Sequence, residues 1–272
     1  MAGEPALHEF PSWRSFWIFQ QSVRSELRYV RTAASETFLQ TVLETCRERV
    51  GTLKAGSHFW RAQLGHDWRL TGPEEAEIEI PCAYSASRMK PLSGRASDGR
   101  ANPRGIPSLY VATTKETAMS EVRPWVGSYV SVGQLRLLQD LEVVDCTRGH
   151  QRTPFYFEEP DADLRKEAVW SHIDRAFAEP LARSDNEADY AATQILAETF
   201  KQAGYGGVAY KSAFGVDGYN IALFNPDVAR VVNCGLFRVK EIQPTFEAAD
   251  DFWFMQESPG DAPSEPLSAP SS

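Results

Sequence analysis

An acid and several arginines held close together can grip an anion and break a bond beside it. Residues Gly99 to Pro124, GRANPRGIPSLYVATTKETAMSEVRP, carry such a set. The stretch reads as a basic loop with Arg100, a short buried strand from Pro107 to Ala112, a Thr-capped turn, and a helix that carries Glu121 and stops at Pro124. Thr113 followed by Glu116 has capping-box spacing, and the residue before a proline is disfavoured in helical conformation, so both helix ends have a mechanism. The chemistry suggested is an anionic substrate with a scissile bond near a carboxylate. A surface ion-pair network is the alternative that these residues leave open. Arg61 extends the set: it sits in the apolar run HFWRAQ, residues 58–63, and an ionised group among strand residues must find a partner, a ligand or the solvent face of an edge strand.

The elements that must position these groups follow from periodicity. Trp13, Phe16, Phe19, Val23, Leu27 and Val30 recur at helical spacing, and Leu39, Leu43, Cys46 and Val50 follow Ser35 in the same way, which predicts two amphipathic helices. Glu77 to Pro81 alternates as a half-buried strand. Tyr129 to Val132 and Leu141 to Cys146 read as further strands, and a polar segment after them holds a short helix around Val169 to Phe177. Ser184 with Glu187 repeats the capping-box spacing before a helix ending at Gly204. Residues 205–212, Asn220 to Phe224, Arg230 to Cys234 and Leu236 to Ile242 complete the strands. Short strands with inserted helices and no strict alternation predict an α+β fold. The organisation expected is a helical extension over residues 1–54, a main domain over 55–246 and a disordered tail over 247–272, where core-forming residues give way to Pro, Ser and Gly.

Composition narrows the function classes. With 272 residues, 42% hydrophobic and 24% charged, the chain has the makings of a sizeable core. A net charge of −9 argues against a general nucleic-acid or anionic-membrane footprint. Locally the balance reverses: between Tyr84 and Pro107, Arg88, Lys90, Arg95, Arg100 and Arg104 stand against Asp98 alone, a pattern open to phosphate binding or to a solvated loop. Cys46, Cys82, Cys146 and Cys234 form no C-x-x-C pair and the five histidines no H-x-x-x-H pair. Reduced thiols, no metal centre and a cytoplasmic location are therefore expected, as no leader-like or membrane-spanning apolar run is present. Neither G-x-G-x-x-G nor a P-loop motif occurs, which disfavours dinucleotide-fold and nucleoside-triphosphatase readings.

Three blocks in order resemble the RES domain family, named for its Arg, Glu and Ser. They are FWRAQ with Arg61; GRANPRGIPSLYVATTKETAMSEVRP with Arg100, Tyr110 and Glu121; and YAATQILAETFKQAGYGGVAYKSAFGVDGYNIALFNP with Ser212 and Asn220. The resemblance spans roughly residues 55–235. It implies an ADP-ribosyltransferase-like split antiparallel sheet around an NAD cleft, and an enzyme that breaks the bond between nicotinamide and ribose by hydrolysis or phosphorolysis. It further implies the toxin of a type II toxin-antitoxin pair, with an Xre-type antitoxin as partner and with NAD, and inorganic phosphate in phosphorolysis, as small-molecule partners. NAD is then a substrate, and no tightly bound cofactor is expected. Transfer of ADP-ribose to a protein acceptor is the alternative, and a catalytically silent binding module a more distant one.

On that resemblance Glu121, Arg61 and Ser212 are the catalytic candidates, and Arg61, Arg100, Tyr110, Ser212 and Asn220 the NAD-binding ones. A carboxylate stabilises the oxocarbenium-like sugar that forms as the pyridine departs. Guanidinium groups bind phosphate oxygens bidentately, and the Tyr110 ring could stack on the cationic nicotinamide or belong to the core. Ser212 offers a hydroxyl without an evident general base, and Asn220 could hold the loop that carries it.

Overall fold

The computed structural model describes residues 9–73, 76–92, 94–149, 154–179, 187–214 and 218–243. The described residues up to Lys240 form one compact unit. The tail expected over 247–272 lies outside the described residues.

The chain opens with helices α1 (Ser15–Ser25) and α2 (Ala33–Cys46), the latter capped by Thr32, whose side chain accepts from Ser35 N. Phe16, Phe19 and Val23 of α1 are buried as the helical spacing predicts, whereas Leu27 and Val30, beyond the helix end, are exposed. Strands β1 (Val50–Leu53), β2 (His58–Leu64), β3 (Asp67–Thr71), β4 (Ile78–Cys82) and β5 (Leu109–Ala112) follow. Next come helix α3 (Lys115–Glu121), strands β6 (Tyr129–Leu137) and β7 (Leu141–Asp145), and helices α4 (Ala162–Ala178) and α5 (Ala191–Gln202). Strands β8 (Gly207–Lys211), β9 (Tyr219–Leu223) and β10 (Ala229–Arg238) complete the unit.

Eight strands form one sheet in the order β1-β7-β8-β9-β5-β2-β6-β10, antiparallel throughout except for the parallel β7–β8 pair that α4 and α5 bridge. The α+β expectation holds. The sheet divides in the middle: β2 matches β6 over seven positions and β5 matches β9 over four, but β2 and β5 meet only at Trp60 and Ala112. Helices α1, α2, α4 and α5 cover one face of the first half, in a core containing Phe16, Phe38, Trp170, Phe177, Phe200 and Val208. The aromatic residues of the amino-terminal helices are thus part of the same core as the strands. Helix α3 packs across the division through Ala118, against Ala62, Val130 and Val132 of the second half and Ala112 of the first.

Several boundaries differ from expectation for local reasons. Helix α3 is capped by Thr114, which accepts from Thr117 N, while Thr113 Oγ1 accepts from Tyr219 N and so serves the neighbouring strand. Helix α4 is much longer than its apolar centre because Asp161 caps it, accepting from Leu164 N. Ser184 lies outside the described residues, and α5 begins at Ala191 after a 3-10 turn. The two strands expected after Arg230 are one, β10, bent by a bulge between Val231 and Asn233. Strand β4 is no half-buried strand of the sheet: it pairs with β3 in a separate ribbon, and Ile78 is exposed.

Candidate active site

The division of the sheet opens a cavity of about 320 Å³, at the small end of the range typical of ligand sites. Register explains its floor. Trp60 faces Ala112, Ala112 faces Asn220, and Asn220 faces Tyr210, so one row of directly opposed residues crosses β2, β5, β9 and β8. All four line the cavity, together with Arg61, Arg100, Tyr110, Glu121 and Tyr190.

Glu121, at the end of α3, is half-buried and turned into the cavity. Its Oε1 accepts from Ser212 Oγ at 2.7 Å and from Asn220 Nδ2 at 2.5 Å. The alternative of an exposed acid paired with Lys115 or Arg123 is not realised: Lys115 pairs with Glu116, and the Arg123 guanidinium lies over the Phe214 ring. Ser212, 4 % exposed, also accepts from Phe214 N at 3.0 Å, closing a tight turn just beyond β8. Asn220, expected to hold the loop that carries Ser212, reaches the carboxylate instead. Two donors on one oxygen fix the rotamer and leave Oε2 without a partner among the described residues, available to a ligand.

Arg61 lies on an interior strand rather than on the solvent face of an edge strand. Its Nη1 donates to Tyr110 O at 2.9 Å across the gap between β2 and β5, while its Nε is buried without a hydrogen-bond partner. Burial lowers the guanidinium pKa from its ordinary value, as desolvation penalises the charged form. Arg100 donates weakly to Ala176 O, at 3.4 Å. Much of the remaining basic loop behaves as ordinary surface, since Arg88 pairs with Asp67, Lys90 with Asp227 and Arg104 with Asp98. Among the described residues, neither cavity arginine has a carboxylate in salt-bridge range. An unneutralised pair of guanidinium groups beside a cavity favours an anion.

The Tyr110 ring lines the cavity, but its hydroxyl is engaged: it donates to Asn102 Oδ1 at 2.7 Å and accepts from Ala101 N at 2.9 Å. Burial raises its pKa, and that of Tyr210 for the same reason, so both present neutral aromatic surface. Sequence reasoning missed Trp60, Tyr190 and Tyr210, because aromatic residues at a cavity and in a core look alike along the chain. Among the described residues no group of three His, Cys, Asp or Glu side chains could hold a metal ion, the four cysteines are free thiols, and no helix is long and apolar enough to cross a membrane.

Five of the six expected residues, Arg61, Arg100, Tyr110, Glu121 and Asn220, therefore line one cavity, and Ser212 stands behind it, joined to it through Glu121. The RES domain model matches residues 66–243. That match includes Arg100, Tyr110, Glu121, Ser212 and Asn220 and begins five positions after Arg61. Among solved structures, the chain is similar to one in the crystal structure of the M. tuberculosis MbcT-MbcA toxin-antitoxin complex. The similarity has 17% identity and a TM-score of 0.40, covering 72% of this chain and 92% of that one. No curated protein matches the chain at a significant level.

Proposed function

The chain belongs to the RES domain family, and from that premise we propose that it cleaves the bond between nicotinamide and ribose in NAD, as the toxin of a toxin-antitoxin pair. The observation that carries this reading is the meeting in one cavity of two arginines that have no carboxylate in salt-bridge range among the described residues with a carboxylate held by two donors.

Arg61 and Arg100 would take the diphosphate, each presenting a planar fork to phosphate oxygens. The aromatic walls, Trp60, Tyr110 and Tyr190, suit a flat cationic ring. As the glycosidic C–N bond lengthens, its electron pair passes to the pyridine nitrogen, nicotinamide leaves neutral, and positive charge builds on the ribose. The free oxygen of Glu121 stabilises that charge or grips a ribose hydroxyl, an interaction stronger in the transition state than in the ground state. Water or inorganic phosphate then attacks the electrophilic carbon, releasing ADP-ribose or its 1″-phosphate. The Ser212 hydroxyl serves this chemistry by holding Glu121, its proton being already committed. NAD is a substrate here, with no resident metal or cofactor in the scheme. An Xre-type antitoxin and a cytoplasmic setting are proposed with it.

The test is product analysis with NAD labelled in its adenylate half, wild type beside Glu121→Ala. Free ADP-ribose or its 1″-phosphate from the wild type alone supports the proposal. Label on protein would assign ADP-ribosyl transfer instead, and wild-type protein that leaves NAD intact refutes the reading.

A further inference from the structure

The turn that carries Arg100 is held more firmly than a surface loop requires. Gly99 and Asn102 face each other in an isolated antiparallel bridge, Gly99 N donating to Asn102 O at 2.9 Å. Arg100 and Ala101 form its tip. Ala101 is 4 % exposed and packs into the main core, anchored by its amide on the Tyr110 hydroxyl. The Asn102 side chain is 3 % exposed and fully used: besides accepting from Tyr110, it donates to Ser97 O at 3.0 Å and Pro103 O at 3.1 Å. From α5, Gln194 Nε2 lies 3.0 Å from Gly99 O, 3.1 Å from Asn102 O and 3.3 Å from Asp98 Oδ1. All three neighbours are acceptors, which settles which end of that amide is the nitrogen. Gly99 has no room for a side chain, as a Cβ there would lie 2.5 Å from the Tyr110 hydroxyl and 2.8 Å from Asn102 Oδ1.

One side chain of this clamped turn, Arg100, lines the cavity. We propose that Gln194 and Asn102 are positioning residues that hold the Arg100 guanidinium in place for the ligand's diphosphate, so that the anion meets a group already ordered. The inference rests on the NAD reading above. A guanidinium on a loose loop would lose backbone and rotamer freedom at every binding event, and that loss subtracts from affinity. Fixing the turn beforehand removes it. A neutral amide suits the task, since its two N–H groups, shared among three oxygens, tie the turn without adding negative charge beside the arginine.

Gln194→Glu keeps the shape and turns a donor into a further acceptor among three acceptors. Steady-state NAD turnover and calorimetric binding of ADP are measured for the full chain as wild type, Arg100→Ala, Gln194→Glu and the double variant. Expected is a rise of about tenfold in KM for NAD and in Kd for ADP with Gln194→Glu, the size of one lost charge-assisted hydrogen bond, and kcat within about twofold. In the Arg100→Ala background the same change should add less than about twofold. An unchanged KM in folded Gln194→Glu, or an undiminished effect without Arg100, overturns the inference. Should Gln194→Glu fail to fold, Asn102→Asp, which keeps the acceptor for Tyr110 and loses both amide donations, enters the same cycle under the same criteria. Cleaved NAD with an additive cycle sinks the positioning role alone. ADP binding that obeys the cycle without NAD cleavage sinks the functional reading alone, and a wild type that does neither sinks both.

Discussion

Ser212 Oγ donates to Glu121 Oε1 at 2.7 Å, although 91 positions separate the two residues. With Asn220 Nδ2 on the same oxygen, the carboxylate is oriented by one group on β9 and one in the turn just beyond β8. Loss of one donor loosens it without removing it. Ser212→Ala should therefore lower kcat for NAD by about 10- to 100-fold with KM little changed, an effect of about 1.5–3 kcal/mol on the barrier. Glu121→Ala should remove turnover to background while the protein stays folded. Equal kcat in Ser212→Ala and wild type, measured by nicotinamide release, would show that this hydrogen bond has no part in the chemistry.

Among the described residues Arg61 has no counter-charge: it lies between two half-sheets with Nε unpartnered and Nη1 on the Tyr110 carbonyl. Burying a charge without a counter-charge is costly, so an apolar side chain of similar length removes that cost. Arg61→Met should leave the unfolding free energy unchanged or raise it by up to about 1 kcal/mol, and should raise the KM for NAD at least about tenfold. Calorimetric unfolding beside kinetics decides. A clear loss of stability with KM intact would make Arg61 a structural residue.

His172 on α4 is buried and stacked on Trp17 at 4.3 Å. Burial, with the charge of Arg175, lowers its pKa to about 4, below the unfolded value near 6.5. The unfolded chain then binds more protons between those values, so the stability linked to neutral His172 is complete above about pH 6.5 and is lost as pH falls toward about 4. His172→Phe should flatten the pH dependence of the melting temperature across that window, a difference on the order of 2 kcal/mol at its acid end. Identical slopes for the two proteins would remove His172 as a cause of acid sensitivity.

Asp161 caps the helix whose carbonyl at Ala176 receives Arg100. Asp161→Ala should cost about 1 kcal/mol of stability, in line with other lost N-caps, and leave NAD turnover at 25 °C within about twofold. Thermal unfolding and initial rates check both halves.

The sequence made legible what depends on residue type and short-range spacing. Arg61 in an apolar run and an acid closing a helix before Pro124 were recognisable in this way, whereas Ser212 was marked only by the family resemblance; the three converge. What depends on long-range register was not. Nothing local distinguishes Tyr210 at the cavity from a core tyrosine, because its place there follows from facing Asn220. The choice of Thr114 over Thr113 as cap was settled by the amide of Tyr219, a residue distant along the chain. Strand β3, the partner of β4, escaped notice because it has no buried face to mark it, and the single long β10 because its bulge interrupts the alternation that a continuous strand would show.

Strands β2 and β5 touch through Trp60 and Ala112 and otherwise leave Arg61 to bridge them. Main-chain groups that a zipped sheet would consume are thereby surrendered. Substitutions that closed the seam would gain ladder bonds and erase the chamber. Laboratory selection for heat resistance, applied without an activity screen, should accordingly enrich sealed and inert descendants of this protein.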